Sequence, residues 1–285
     1  MKKNRKTLFQ SIREARKLFD AQDFTRAFNI LSEVEKDATH LHLKSRIAGF
    51  KVQCLFQVGN VKSAVEYVES LLTAHPLSGQ INFLAASVYR KLADPRKASR
   101  LYLRCVCLYP ENTQYALVYA QFLKETNRLS EANGIIFKSL KKNPRRAKSP
   151  DSGVYFLYLE LGLNYYQLGN FTRALVLMKY CSSKNRHFPF YDLMAEIYLK
   201  KCQLKNAYKC ITRHIKDWGA GDPEALFTYA KTLVCLNRKT EAMRQLRRCT
   251  KIWGELVITS GDMTHLFPLM QDGSLKKIPN LVLEL

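Results

Sequence analysis

Turn-forming residues are scarce in this chain. Its 285 residues hold only 12 glycines and 9 prolines, too few for the many tight turns of an all-β sandwich or barrel. Long apolar runs are also missing. No stretch approaches the 18 uninterrupted apolar residues of a membrane-crossing helix, so no span is expected. The opening MKKNRKTLFQSIREARKLF begins with the charge of a signal peptide, but Gln10, Arg13, Glu14 and Arg16 interrupt the apolar core that such a signal needs. No secretion signal is expected. Acidic charge is short: 24 Asp+Glu face 46 Lys+Arg, a formal charge of +22. That balance favours polyanionic partners (nucleic acid, an acidic membrane face or an acidic protein) and says nothing of fold.

The motifs of chemistry are missing as well. Eight cysteines are scattered rather than framed for disulfides, so free thiols in a reducing compartment, and a cytoplasmic address, are expected. Cys105-Val106-Cys107 lacks zinc-knuckle spacing, and no matching Cys/His pair follows. The six histidines fall at no ligand spacing. Gly162 and Gly169 lie seven residues apart and belong to no phosphate-binding loop. Asp192 and Glu196, one helical turn apart, are the one candidate carboxylate pair, and no second cluster stands beside them. No enzymatic activity, cofactor or metal is expected.

What is present is a repeat. Ala27, Ala64, Ala98, Ala132, Ala174, Ala207 and Ala242 are each followed four residues later by an apolar residue: Leu31, Val68, Tyr102, Ile136, Met178, Ile211 and Leu246. Twelve residues before each alanine stand Ala15, Val52, Ala86, Ala120, Gly162, Ala195 and Ala230, all small but Val52. Three residues beyond those come Leu18, Leu55, Tyr89, Leu123, Tyr165, Tyr198 and Leu233. Ala64, Ala98 and Ala132 recur at a spacing of 34 residues, with Pro76, Pro110 and Pro144 at one fixed distance after them. Proline there stops a helix.

The pattern resembles that of the tetratricopeptide repeat (TPR) family, W-x2-L-G-x2-Y, then A-x3-F, then P. The nearest copy is YLELGLNYYQLGNFTRALVLM: Tyr158 in the tryptophan place, Leu161-Gly162, Tyr165, then Ala174 and Met178. The resemblance covers about residues 8–256, in seven units starting near 8, 45, 79, 113, 155, 188 and 223. It implies an all-α, right-handed superhelical solenoid of antiparallel helix pairs. Small residues let the paired helices approach, and stacking neighbours bury what no unit buries alone. The expected organisation is units one to four over 1–146, an insertion loop over 147–154, units five to seven over 155–256, and a C-terminal capping helix and tail over 257–285. Leu281-Val282-Leu283 in that tail either packs back or pairs with a partner. Cys105, Cys181, Cys249 and His214 share one packing slot on the second helices, so those thiols are expected in the core.

The resemblance also implies that first helices line a concave groove. By register, unit one gives Phe9, Ile12, Arg16 and Phe19 to it, unit two Arg46 and Phe56, and unit three Phe83, Arg90 and Lys91. Leu117, Gln121 and Lys124 follow from unit four, Phe156, Leu159 and Tyr166 from unit five, and Phe227 and Lys231 from unit seven. Aromatic rings interleaved with cations suit a peptide or amphipathic helix bearing acidic residues. The Lys/Asn clamp by which some TPR domains grip chaperone tails is missing: its places hold Ile12 with Arg16, Phe83 with Ser87, and Leu117 with Gln121. Three basic ridges stand apart from the groove. One is Lys205, Lys209, Arg213 and Lys216; a second is Arg244, Arg247, Arg248 and Lys251; the third is Lys138, Lys141, Lys142, Arg145, Arg146 and Lys148. They are either solvated outer faces or phosphate-binding sites. The expected function is a non-enzymatic protein-interaction scaffold or adaptor. The alternatives are a nucleic-acid-associated factor using the ridges, then an accessory protein of a secretion or motility complex.

Overall fold

The structure, a computed structural model, describes residues 5–144, 153–184, 190–218 and 221–284. The chain divides into two compact units, Met1–Arg145 and Arg146–Leu285. The first holds four helix pairs: α1 (Arg5–Asp20) with α2 (Phe24–Asp37), α3 (Leu41–Gln57) with α4 (Val61–Ala74), α5 (Gly79–Lys91) with α6 (Pro95–Leu108), and α7 (Thr113–Glu125) with α8 (Leu129–Lys142). The second holds α9 (Val154–Gln167) with α10 (Phe171–Lys184), α11 (Tyr191–Lys200) with α12 (Leu204–Trp218), and α13 (Pro223–Cys235) with α14 (Lys239–Trp253). Of the expected insertion, 147–152 lies outside the described residues, and Gly153, at φ 69°, immediately precedes α9.

The repeat register explains the pairing. All seven second-helix alanines are completely buried, as are Ala15, Ala86, Ala120, Ala195 and Ala230 on the first helices. Side chains of this size let two helices approach closely. Around these contacts Leu31, Tyr102, Ile136, Met178 and Ile211 are almost wholly enclosed, each stabilising the fold by about 1.5–3 kcal/mol. Gly162 faces α10: a Cβ there would stand 2.7 Å from Met178 Cε and 3.3 Å from Leu177 Cβ.

The turn inside each pair repeats too. Gln22, Gly59, Ala93, Asn127, Gly169, Cys202 and Asn237 lie five residues before the slot alanines, and all seven have positive φ. In each case the N–H of the residue after the turn position donates to the carbonyl five residues before its own place, as in Asp23 to Leu18, Asn60 to Leu55 and Asn170 to Tyr165. This 6→1 bond closes the first helix. The residue after the turn position then starts the second helix, and Asp23, Asn60, Asp94 and Asn170 each accept a backbone N–H with their side chains. Between pairs, Pro76, Pro110 and Pro144 each stand two residues past the end of α4, α6 and α8. Ser78, Asn112 and Asp222 cap the helices that follow such links.

One buried charge is built into unit 1. Lys51 Nζ lies 2.7 Å from Glu35 Oε2 and 4.3 Å from the centre of the Tyr67 ring, while the Tyr67 hydroxyl donates to the other Glu35 oxygen. The pair therefore ties α2, α3 and α4 together. Burial first, then the Glu35 contact, hold the Tyr67 phenol above its ordinary range.

After α14 the helix-pair pattern ends in a feature the all-α expectation left out. β1 (Leu256–Thr259) pairs in parallel with β2 (Leu281–Glu284), Leu256 opposite Leu281. Between them run α15 (Ser260–Gln271) and a 3-10 turn (Ser274–Lys277). So Leu281-Val282 folds back onto its own chain. Leu256, Ile258, Leu266, Leu269, Leu275 and Ile278 form one core with Leu226, Leu233 and Leu246. The segment thereby covers the apolar surface that α13 and α14 would otherwise leave open. Among the described residues, no helix is long and apolar enough to cross a membrane.

Candidate partner-binding groove

Unit 1 carries two adjoining hollows along its first helices. One, about 460 Å3, is lined by Phe9, Ile12, Arg16 and Phe19 of α1 and by Arg46 and Phe50 of α3. The other, about 420 Å3, is lined by Phe56 of α3, by Phe83, Ser87 and Lys91 of α5, and by Tyr115 of α7. Arg46, Gly49 and Gln53 line both, so the two are one groove. Gly49 is the joint. It occupies the register position held by Ile12 on α1 and Phe83 on α5, and a Cβ there would meet only Leu84 Cδ1 at 3.9 Å. Sequence reasoning passed over it because a helix glycine draws attention only where two helices touch; the signal was its place in the same register as Ile12 and Phe83.

The walls are largely aromatic. Phe9 is 51% exposed. Phe19 leans on Phe24 and Phe50, with ring centres 5.0 and 5.1 Å away, and Phe83 leans on Tyr115 at 5.3 Å. Lys91 Nζ sits 5.0 Å over the Phe56 ring, a cation–π contact that keeps the ammonium at the rim. Arg16, Arg46 and Lys91 contribute three cations to the lining, against the single carboxylate of Asp20. The groove is thus apolar at its base and positive at its edge.

Other register positions go elsewhere. Arg90 is committed to an ion pair with Glu125. Leu117, Gln121 and Lys124 are half-buried and line neither hollow. In unit 2, Phe156 is 52% exposed with its ring edge-on to Tyr155, and Leu159 is half-buried. Tyr166 is half-buried beneath Lys200, 5.9 Å away, and its phenol is raised by burial and by Glu196. Phe227 and Lys231 are buried, the ammonium 4.8 Å over the ring. Lys231 is therefore an interior cation and not a groove cation: its charge meets Asp262 and Glu196.

Those contacts also dissolve the candidate carboxylate pair. Glu196 faces Lys231 at 3.7 Å, whereas Asp192 faces His214 Nδ1 at 3.8 Å. His214 Nε2 lies 3.2 Å from Asp222, so this histidine braces the start of α13. Cys105, Cys181 and Cys249 are fully buried, and burial pushes each thiol up to about 12. Among the described residues no group of His, Cys, Asp and Glu is set to hold a metal ion.

Of the basic ridges, Lys205, Lys209, Arg213 and Lys216 are exposed along α12, Arg213 lying 3.5 Å from Asp217. Arg244, Arg247 and Lys251 are exposed along α14, and Arg248 is half-buried, donating to Gln245. Lys138, Lys141 and Lys142 are exposed near the end of α8, where cations complement the helix dipole. Arg145, Arg146 and Lys148 lie outside the described residues.

No family model matches the chain, and no curated protein matches it. Solved structures do. A tetratricopeptide repeat protein from Parabacteroides merdae superposes with a TM-score of 0.56 at 16% identity, over 87% of this chain and 93% of that one. PilW, a type IV pilus biogenesis factor, gives 0.59 at 17% identity, over 78% and 98%. YrrB, described as a TPR protein with an unusual peptide-binding site, gives 0.52 at 13% identity, over 72% and 97%. At such identities the likeness is one of fold: this chain has the all-α, helix-pair fold of tetratricopeptide repeat proteins.

Proposed function

We propose that the chain is a non-enzymatic protein-interaction scaffold whose unit 1 groove holds a peptide or helix of a partner protein. The reading rests on the joined hollow at Gly49, with phenylalanine walls and the three cations Arg16, Arg46 and Lys91 at its rim. Such a lining takes an apolar face through its rings and acidic flanks through its cations. The likeness to YrrB, a TPR protein with an unusual peptide-binding site, supports the class of partner.

The test is affinity capture with mass spectrometry, comparing wild type with Phe9→Ala, Arg46→Glu and Gly49→Leu. Phe9 and Arg46 are exposed, so these changes leave helicity and the unfolding midpoint intact. A discrete partner retained by wild type and lost by all three variants is the expected result. A partner retained equally by all would remove the groove from consideration.

A further inference from the structure

A second hollow in unit 1, about 900 Å3, lies between the second helices α6 and α8. None of its lining residues lines the groove. Its apolar lining comes from the exposed Leu103 and from Ile135, above the fully buried Leu123. Its rim is positive: Arg96, Arg100 and Lys138 are exposed and, among the described residues, have no ion-pair partner. The single carboxylate in the lining, Glu131, is engaged by Arg128, whose Nε and Nη2 donate to its two oxygens at 2.7 and 2.6 Å. A third nitrogen of Arg128 donates to Ser99 at 3.3 Å, which fixes the guanidinium as part of the wall.

Gly134 keeps the α8 wall of the crevice open. This glycine sits within α8, where glycine weakens a helix relative to alanine. No positive φ calls for it, and a Cβ there would meet nothing within 4 Å. On the other second helices the same register position carries Asn29, Glu66, Arg100, Val176, Lys209 and Arg244. Neither backbone nor packing accounts for glycine here. What glycine leaves is open space beside the helix backbone.

We propose that this crevice is a second binding site, which takes an acidic peptide segment of a partner, with an apolar side chain on Leu103 and Ile135 and carboxylates against Arg96, Arg100 and Lys138. A single nucleic acid strand fits less well. Its bases stack on exposed aromatic faces, and the one ring in the lining, Tyr119, is buried and stacked on Tyr102 at 6.0 Å.

The test is selection of displayed random peptides on the full chain. Synthetic copies of the enriched peptides are then measured by fluorescence polarisation, beside a labelled oligo(dT). Enriched peptides rich in Asp and Glu are expected, with affinity reduced at least about tenfold by Arg100→Glu and by Gly134→Leu, and unchanged by Phe9→Ala. Arg96→Glu is the second surface variant, which keeps the test intact should Gly134→Leu lower the unfolding midpoint. The proposal is overturned if no acidic peptide is enriched, or if those enriched ignore the crevice variants. It is equally overturned if oligo(dT) competes with the peptides and depends on Arg100 to the same degree. Because Phe9 reports on the groove and Arg100 on the crevice, the two sites fail separately.

Discussion

Lys231 Nζ lies 3.0 Å from Asp262 Oδ1, inside unit 2, and this contact fastens α15 onto α13. Glu196 completes the cluster at 3.7 Å, and Thr259 donates to the other Asp262 oxygen at 2.8 Å. Lys231→Met leaves two carboxylates facing a half-closed interior. Because both retain some solvent contact, the expected loss is about 2–3 kcal/mol, below that of a fully buried pair. Urea unfolding of the variant checks it.

The same cluster makes the unit acid-sensitive. Burial, then Lys231 and Lys200, hold His265 below its ordinary 6.5. Burial raises Asp262, but the charge and hydrogen bond of Lys231 outweigh it and hold the carboxyl below 3.8. In both cases the unfolded chain binds more protons, so stability rises with pH across the affected window. His265 contributes fully above 6.5 and loses its share as pH falls below that value. Asp262 follows below 3.8. Thermal midpoints measured downward from pH 8 should stay level to about pH 7 and then fall, and His265→Phe should flatten the first decline.

The positive-φ turn position predicts opposite signs for the same exchange. Ala93 and Cys202 hold φ of 54°, a region that costs a residue with a Cβ about 1 kcal/mol or more. Ala93→Gly and Cys202→Gly should therefore stabilise by roughly 1 kcal/mol. Gly59→Ala and Gly169→Ala should destabilise by a similar amount, though a Cβ at either meets nothing within 4 Å. Strain alone separates the two sets, and denaturant midpoints read it out.

Gly162 behaves differently because packing, not φ, selects it. Gly162→Ala presses a methyl on the movable end of Met178, while alanine strengthens the helix. The net change should lie within about 1 kcal/mol of zero. Gly162→Leu drives a branched side chain into α10 and should cost about 3 kcal/mol or more, visible as a lowered unfolding midpoint.

Thiol reactivity should divide by location. Cys107 and Cys202 are exposed, whereas Cys105, Cys181 and Cys249 are buried and, pushed up to about 12 by burial, hold little thiolate near neutrality. Iodoacetamide at pH 8, followed by peptide mass spectrometry, should label the first two rapidly. The other three should react only in denaturant.

Legibility in the sequence followed distance along the chain. The slot alanines and their apolar partners were readable because helical spacing fixes which side chains share a face. The turn position was only half readable: Gly59, Gly169, Asn127 and Asn237 are residue types that favour positive φ, whereas Gln22, Ala93 and Cys202 are not. Those three are held there by the helices on either side. The residues of α1, α3 and α5 that line the unit 1 hollow share a helical face in the sequence, but Gly49 was not readable, since an open space leaves no mark in a pattern of side chains.

By itself, the sequence determined the repeat: seven pairs, their contact points and the thiols that lie between them, because local periodicity carries all of that. Tertiary structure alone decided where charges are spent. By register Lys231 read as a groove-facing cation, and it became an interior one because Asp262, 31 residues later, returns beside it. It also turned Leu281–Glu284 into a strand rather than a tail, since a β ladder depends on a partner strand that sequence order does not supply.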